Sequence, residues 1–222
     1  MAKAKRSAET RAKIFRAALA RFRKHGLDGT SMRDIAGDAE VAVGAAYYYF
    51  PSKNAIVLAY YEETQRLVAE QASAAFAETD DVRERLGVCF HARLDVLSRD
   101  RKLLAALFHT IADPHTEVSI FGEGTRSVRE DSIALFARAI APASVTAALD
   151  DATRRVLVLA LWSLHMGVLL YFVHDRSRGQ HKTHALVDHT LDLVCSVLPI
   201  APELAPVFGD RIAAVLREAD LL

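Results

Sequence analysis

The chain has 222 residues, 51% hydrophobic and 25% charged, which is enough for one or two domains with a real core. That balance, with 10 Gly and 6 Pro, excludes disordered, collagen-like and linker-dominated chains, and two cysteines, Cys89 and Cys195, are too few for a disulfide framework or a four-thiolate zinc site. The formal charge is zero, yet residues 1–55 hold eleven Lys and Arg against five Asp and Glu, so a segment of net +6 precedes a remainder of −6. A basic start on an acidic body points to a polyanion partner for the first part and another task for the second.

In chain order, the basic stretch Met1–Arg6 is followed by no continuous apolar run, so an export signal is not expected and a reducing cytoplasmic setting fits the cysteines. Ile14, Ala18 and Phe22 then form one apolar stripe of an amphipathic helix, with Ser7 placed to cap its start and Gly26 to end it. Lys3, Lys5 and Arg6 are left as a flexible arm for phosphates or the minor groove. Ser31-Met32-Arg33-Asp34 has the capping-box form, and Met32, Ile35, Ala36 and Ala39 keep helical spacing for a second, short helix. After the break Glu40-Val41-Ala42, a third helix is expected over Val43–Phe50 and a longer one from Lys53. Two short helices joined by a tight turn read as a helix-turn-helix over about residues 31–50.

These residues resemble the TetR family of one-component transcriptional regulators. Arg11, Ile14, Ala17-Ala18, Phe22, Gly26, Thr30-Ser31, Ile35-Ala36, Ala39, Val41, Gly44, Tyr47-Tyr48-Tyr49-Phe50 and Ser52-Lys53 carry the resemblance, in order and spacing. It implies an all-α chain: a three-helix DNA-binding domain over residues 1–55, then a helical effector-binding and dimerisation domain over 56–222. Carried over by position, Arg33, Val43, Gly44 and Ala45 would face base edges. Tyr47 and Tyr49 would face the DNA backbone, Lys53 would bind phosphate, and Ala46, Tyr48 and Phe50 would be core. Two positions depart from the family pattern. Glu40 stands where Gly is usual, and Ala42 replaces a hydroxyl cap whose loss typically costs about 0.5–2 kcal/mol. Val43, Gly44 and Ala45 have no side-chain donor or acceptor, so Arg33 is the candidate for a strong guanine contact, with a phosphate contact as its alternative.

The body reads as helices near 53–78, 81–98, 101–112, 125–140, 151–174, 182–198 and 209–219. Helix 151–174 is apolar nearly all round. The next carries two stripes, Leu186, Leu193, Val197 and Val187, Leu191, Val194, Leu198, more than one small layer hides, the alternative being that an intrachain layer covers them. Pairing these two helices with a second copy gives a homodimer, the arrangement the resemblance also implies, with Gly167 allowing close approach.

No nucleophile elbow, P-loop, dinucleotide fingerprint or zinc-protease motif occurs, so no catalytic residue, cofactor or metal is assigned. His181, His184 and Asp188 would share a helix face at metal-ligand spacing if the helix begins early enough, against the simpler reading of a solvated helix start. Phe90, Phe108, His109, Phe121, Trp162 and His165 are candidates to line an effector pocket, each also readable as core. The expectation is a ligand-responsive regulator, most simply a repressor released from a double-stranded operator by a small, largely apolar effector. A helical enzyme or a membrane-associated protein is the alternative.

Overall fold

The structure is a computed structural model that describes residues 2–142, 149–203, 211, 214, 215, 217 and 218. Among the described residues all regular structure is helical: α1 (Ala2–His25), α2 (Met32–Asp38), α3 (Val43–Tyr49), α4 (Lys53–Glu78), α5 (Val82–Leu97), α6 (Arg101–Ala112), α7 (Arg126–Ile140), α8 (Asp151–His174) and α9 (His181–Val197). The expected helix near 209–219 lies largely outside the described residues.

These elements form two compact units, Met1–Glu63 with Asp100–Val128 and Thr64–Arg99 with Arg129–Leu222. In the first, Ile14, Ala18 and Phe22 of α1 are buried with Met32, Ile35 and Ala36 of α2 and Ala46 and Phe50 around α3, as the apolar spacing requires. α6 belongs to this unit and packs on α1. Asp100, just before α6, is buried and accepts hydrogen bonds from the Arg23 guanidinium and, at 3.2 Å, from the Tyr60 hydroxyl.

α1 ends as expected, with Gly26 in the left-handed region (φ 74°) and its amide donating to the Phe22 carbonyl. Its start differs. The helix runs from Ala2, so Lys3, Lys5 and Arg6 are helical, and the Ser7 hydroxyl lies 3.1 Å from that of Tyr49 instead of capping. Ala, Lys and Arg are strong helix formers, and nothing between Ala2 and Ser7 interrupts them.

In the second unit α9 packs on α5 and α8, and the core takes Leu86, Phe90, Leu94 and Leu97 from α5 with Phe136, Val158, Leu161, Val168, Phe172, Val187 and Leu191. The two stripes of α9 have separate fates. Val187, Leu191 and Leu198 are buried, whereas Leu186, Val197 and especially Leu193 (64% exposed) face outward, joined by Leu170, Tyr171 and Ile200. The stretches Asp151–His174 and Arg178–Glu203 are long and apolar enough to cross a membrane by length and composition alone. Asp175, buried between them, organises the connection. It accepts from the Ser177 amide (2.8 Å) and from the amide and hydroxyl of Thr183 (2.9 and 2.7 Å), which supplies the start of α9 with a cap that Gln180 does not.

Cys89 is buried and its thiol is pushed up to about 12 by burial, the signature of an inert core cysteine. His184 and Asp188, two members of the possible metal set, are otherwise engaged. His91 of α5 meets the Nδ1 of His184 at 3.0 Å and Asp188 at 2.9 Å, while Arg83 pairs with Asp188 and Asp192. His181 instead lies against the Arg178 carbonyl.

Candidate nucleic-acid interface

The helix-turn-helix is held by local devices readable in its sequence. Ser31 and Asp34 complete a capping box: the Asp34 amide donates to the Ser31 hydroxyl (3.2 Å) and the Ser31 amide to the Asp34 carboxylate (3.0 Å). At the other end of α2, the Glu40 amide donates to Gly37 and that of Val41 to Ala36, the paired bonds of a Schellman ending. Such an ending needs a left-handed residue, and Glu40 takes it at φ 50°. Its carboxylate reaches back to Lys13 at 2.8 Å, an exposed pair whose hydrogen bond lowers the Glu40 pKa. The departure from Gly is therefore accommodated within the ordinary turn geometry.

α3 forms over Val43–Tyr49 although Ala42 offers no side-chain cap. The Ala45 and Ala46 amides bond to the Ala42 carbonyl, and the Val43 and Gly44 amides have no acceptor among the described residues. Val43 and Gly44 are exposed, Ala45 is half-buried, and a Cβ built on Gly44 would meet nothing within 4 Å. Glycine is thus required here by neither packing nor backbone sign. An open glycine with bare amides at a helix start suits close approach to a phosphodiester or a base edge.

The aromatic run corrects one expectation. Ala46 and Phe50 are buried as expected, but Tyr48 is 82% exposed and Tyr49 is the half-buried member, turned to Ser7 of α1. At 100° per residue, Tyr49 lies 60° from the Ala46 line while Tyr48 lies on the opposite side. Tyr47 and Tyr48 are the two exposed rings, and Tyr48 meets Tyr49 edge-on at 5.1 Å.

The cations divide into committed and uncommitted groups. Arg21 binds Asp38 through two bonds of 2.6 and 2.9 Å, Arg23 binds Asp100, and Arg11 lies 4.8 Å over the Phe50 ring. Lys53 donates to the Leu27 carbonyl at 2.6 Å, so its position is fixed rather than trailing. Lys5, Arg6, Arg16, Lys24 and Arg33 are exposed and have no ion pair among the described residues. An open groove of about 640 Å³ is lined by residues including Asp28, Ser31, Asp34, Tyr47, Ser52 and Lys53. There the start of α4, capped by the Ser52 hydroxyl on the Ala55 amide, a fixed ammonium and a phenol suit an anionic oxygen, and the carboxylates of Asp28 and Asp34 in the same lining oppose it.

The sequence-derived pocket residues do not converge as a set. Phe108 and the 60%-exposed Phe121 belong to the first unit, and the His109 side chain lies outside the described residues. Phe90, Trp162 and His165 are buried in the second unit. Phe90 and His165 meet at 5.7 Å, and Phe136, absent from the sequence reading, contacts both rings at 5.5 Å. Arg93 of α5 is buried in the same unit and is not among the sequence candidates. Its signal was an arginine on the apolar line of α5, three residues after Phe90 and four before Leu97.

Comparison with known proteins covers both parts of the chain. Residues 14–60 match the family model described as bacterial regulatory proteins, tetR family, and residues 85–208 match the tetracyclin repressor-like C-terminal domain. The regulator CymR of Pseudomonas putida is 34% identical over 86 residues, and the repressor KstR of Mycolicibacterium smegmatis 43% over 70, covering 37% and 31% of this chain. These alignments span 42% and 34% of the relatives' own lengths. Among solved structures, FadR of Bacillus subtilis, described in complex with stearoyl-CoA, superposes with a TM-score of 0.67 at 17% identity, covering 82% of this chain and 96% of that one. FadR of Thermus thermophilus, described as a repressor in complex with lauroyl-CoA, gives 0.63 at 23% identity over 82% and 92%. At such identities the likeness is one of fold. The second model alone matches more than half of the residues and the first falls on the helix-turn-helix, so this chain belongs to the tetR family of bacterial regulatory proteins.

Proposed function

We propose that this chain is a homodimeric repressor that acts in the cytoplasm, binds a two-fold operator through α2 and α3, and is released from it by a small, largely apolar effector held in the second unit. The observation that carries the reading is the outer face of the helix-turn-helix: bare amides at Val43 and Gly44, an open glycine, Arg33 without an ion pair, and Tyr47 and Tyr48 exposed. Val43 and Ala45 offer only apolar contact to thymine methyls, which leaves Arg33 as the group able to read a guanine. Tyr47 and Lys53 are placed for the sugar-phosphate backbone. Tyr49, named with them from sequence, serves α1 through Ser7.

The outward stripe of α9 with Leu170 and Tyr171 supports the dimer, as does Gly167, which is exposed with no atom within 4 Å of its added Cβ. Burying one leucine side chain is worth about 1.5–3 kcal/mol, so covering this face with its own copy offsets the cost of association. The same two helices raise the membrane alternative by length. A second copy accounts for their exposed apolar faces and also gives the two readers that a palindromic site requires.

α4 contributes residues to both units and so provides a continuous path from effector to reader. An effector that prefers the DNA-incompetent arrangement by about 100-fold supplies roughly 2.7 kcal/mol of coupling. Two structural neighbours are described with acyl-CoA molecules, and an acyl chain is an effector body of the kind proposed.

The test is a fluorescence-polarisation titration with DNA from upstream of the chain's own coding sequence. Affinity should fall by about 10³ or more between roughly 50 and 200 mM salt if the dimer neutralises six or more phosphates. An affinity that stays flat over that range overturns the DNA-binding reading.

A further inference from the structure

Two arginines are buried in the second unit, and the contrast between them is informative. Arg85 is fully satisfied. Its guanidinium donates to the carbonyls of Phe76, Thr79 and Arg138, pairs with Asp80 at 2.9 Å and stacks on the Phe76 ring. This is how a structural arginine is held when it closes the end of one helix and the start of the next.

Arg93, 7% exposed, has no such set. One terminal nitrogen donates to the Gln65 amide oxygen and lies 3.5 Å from the Ser132 hydroxyl. Its Nε has no partner, and no carboxylate pairs with it among the described residues. His165 of α8, 2% exposed, has no partner on either ring nitrogen. It sits among apolar surroundings, edge-on to Phe90 at 5.7 Å and tilted against Phe136 at 5.5 Å.

Burial, with a smaller contribution from the charge of Arg93, pulls the His165 imidazole well below its ordinary range and keeps it neutral, with one N–H to give. Burial pulls Arg93 down to about 10, so it remains a cation at neutral pH. Arg93 follows Phe90 by three residues on α5, α5 packs on α8, and the Phe90 ring meets that of His165, so two buried donors and one positive charge without a carboxylate lie along one stretch of the α5–α8 packing, an arrangement costly to the fold unless something answers it.

We propose that Arg93 and His165 form an anion seat inside the second unit, which takes the carboxylate of an effector whose apolar remainder lies against Phe90 and Phe136. The proposal rests on the effector reading above and narrows it to amphipathic acids. A carboxylate offers two acceptor oxygens to two unpartnered donors and a negative charge to an unpaired guanidinium. A neutral carbonyl supplies the acceptors without the charge.

The experiment titrates the intact protein with octanoate, phenylacetate and cyclohexanecarboxylate, each against its primary amide, and with octanoyl-CoA. Binding is read by calorimetry and by the fluorescence of Trp162, the chain's only tryptophan, one helical turn before His165. At least one acid should bind ten-fold or more tighter than its amide. Arg93→Met should erase that preference and His165→Phe should reduce it. His165→Phe exchanges unpartnered nitrogens for an apolar ring of similar size, while Arg93→Met also gives up the donor to the buried Gln65 amide oxygen.

The proposal is overturned if no acid is preferred to its amide, if Arg93→Met keeps the preference, or if octanoyl-CoA binds with the same dependence on Arg93 as octanoate. The acid-to-amide ratio of the unmodified protein decides the matter even if a variant does not fold. Operator release is measured alongside. An acid that binds through Arg93 and leaves operator affinity unchanged supports the seat and removes the effector reading; a neutral compound that releases the operator with Arg93→Met unaltered does the reverse.

Discussion

The two units handle charge in opposite ways. In the first, the cations are at the surface: Arg21 and Lys13 form exposed pairs with Asp38 and Glu40, Arg23 reaches in to the one buried carboxylate, Asp100, among the described residues of that unit, and others stay unpaired. In the second, Arg85, Arg93 and Asp175 are taken out of water, and His165 with them. Exposed pairs are worth little to stability and are exchangeable, so the first unit can trade some of its contacts for phosphates at small cost. Buried groups hold large energies and must be answered within the fold or by a ligand. Arg85 and Asp175 are answered by the chain. Arg93 and His165 are not.

That contrast can be broken first at Asp175. Burial alone would raise its carboxyl, but hydrogen bonds from Ser177 and Thr183 outweigh it and hold the pKa far below the usual range. Asp175→Ala should cost about 3 kcal/mol in urea denaturation, since it leaves the buried Thr183 amide and hydroxyl unpaired. A depressed folded pKa gives stability that is complete above the unfolded value of about 3.9 and is lost as pH falls toward the folded one. The variant's stability should accordingly fall less steeply below about pH 4 than the wild type's. Equal acid sensitivity would show that Asp175 is not the group answered there.

Next in size is Gly167→Leu on the outward face of α8. A Cβ added at 167 meets nothing within 4 Å among the described residues and the position is exposed, so a monomer should accept the new side chain. Sedimentation equilibrium should instead show association weakened by a hundred-fold, about 2.7 kcal/mol. Unchanged association would move the dimer seam elsewhere.

Gly44→Ala probes the first unit by the same logic. Alanine is a better helix former by about 1 kcal/mol and meets nothing in this chain, so melting temperature should hold or rise. Operator affinity should fall about ten-fold if backbone approaches backbone there, a loss of about 1.4 kcal/mol. Affinity that follows stability upward would remove Gly44 from the interface. The smallest effect is expected from Glu40→Gly, which relieves a left-handed side chain and gives up only an exposed ion pair. It should raise the melting temperature by about 2–4 °C.

Much of the first unit was legible because its information is local. A capping box, a Gly that ends α1 and apolar residues at helical spacing each act within a few positions, and the start of α4 and both edges of α6 fell where turn and cap residues placed them. The errors there were also local. Position within the family pattern puts Tyr48 inside, but the 100° step from Ala46 turns Tyr49 inward instead, and the helix formers before Ser7 carry α1 past the point where it would cap. The second unit yielded less, since its polar interior is assembled from distant segments. Arg93, Gln65, Ser132 and His165 come from four helices, and no spacing rule relates them. An arginine on an apolar line was visible, but whether it is answered depends on α4, α7 and α8 together. The candidate pocket residues scatter for the same reason: aromatic type does not say which unit a helix joins, and α6 belongs to the first and takes Phe108 with it.

The return of residues 100–128 to the first unit has a practical side. The chain passes between units at 63/64, 99/100 and 128/129, and the carboxylate shared by Arg23 and Tyr60 comes from Asp100. A DNA-binding fragment cut after Glu63 would strip two side chains of their acceptor and expose the face of α1 that α6 covers. The reader is therefore not a cassette that can be lifted out by a single cut. A hybrid regulator that grafts these first sixty or so residues onto another body must also import α6 and the loop after it, or redesign positions 23 and 60 for life without Asp100.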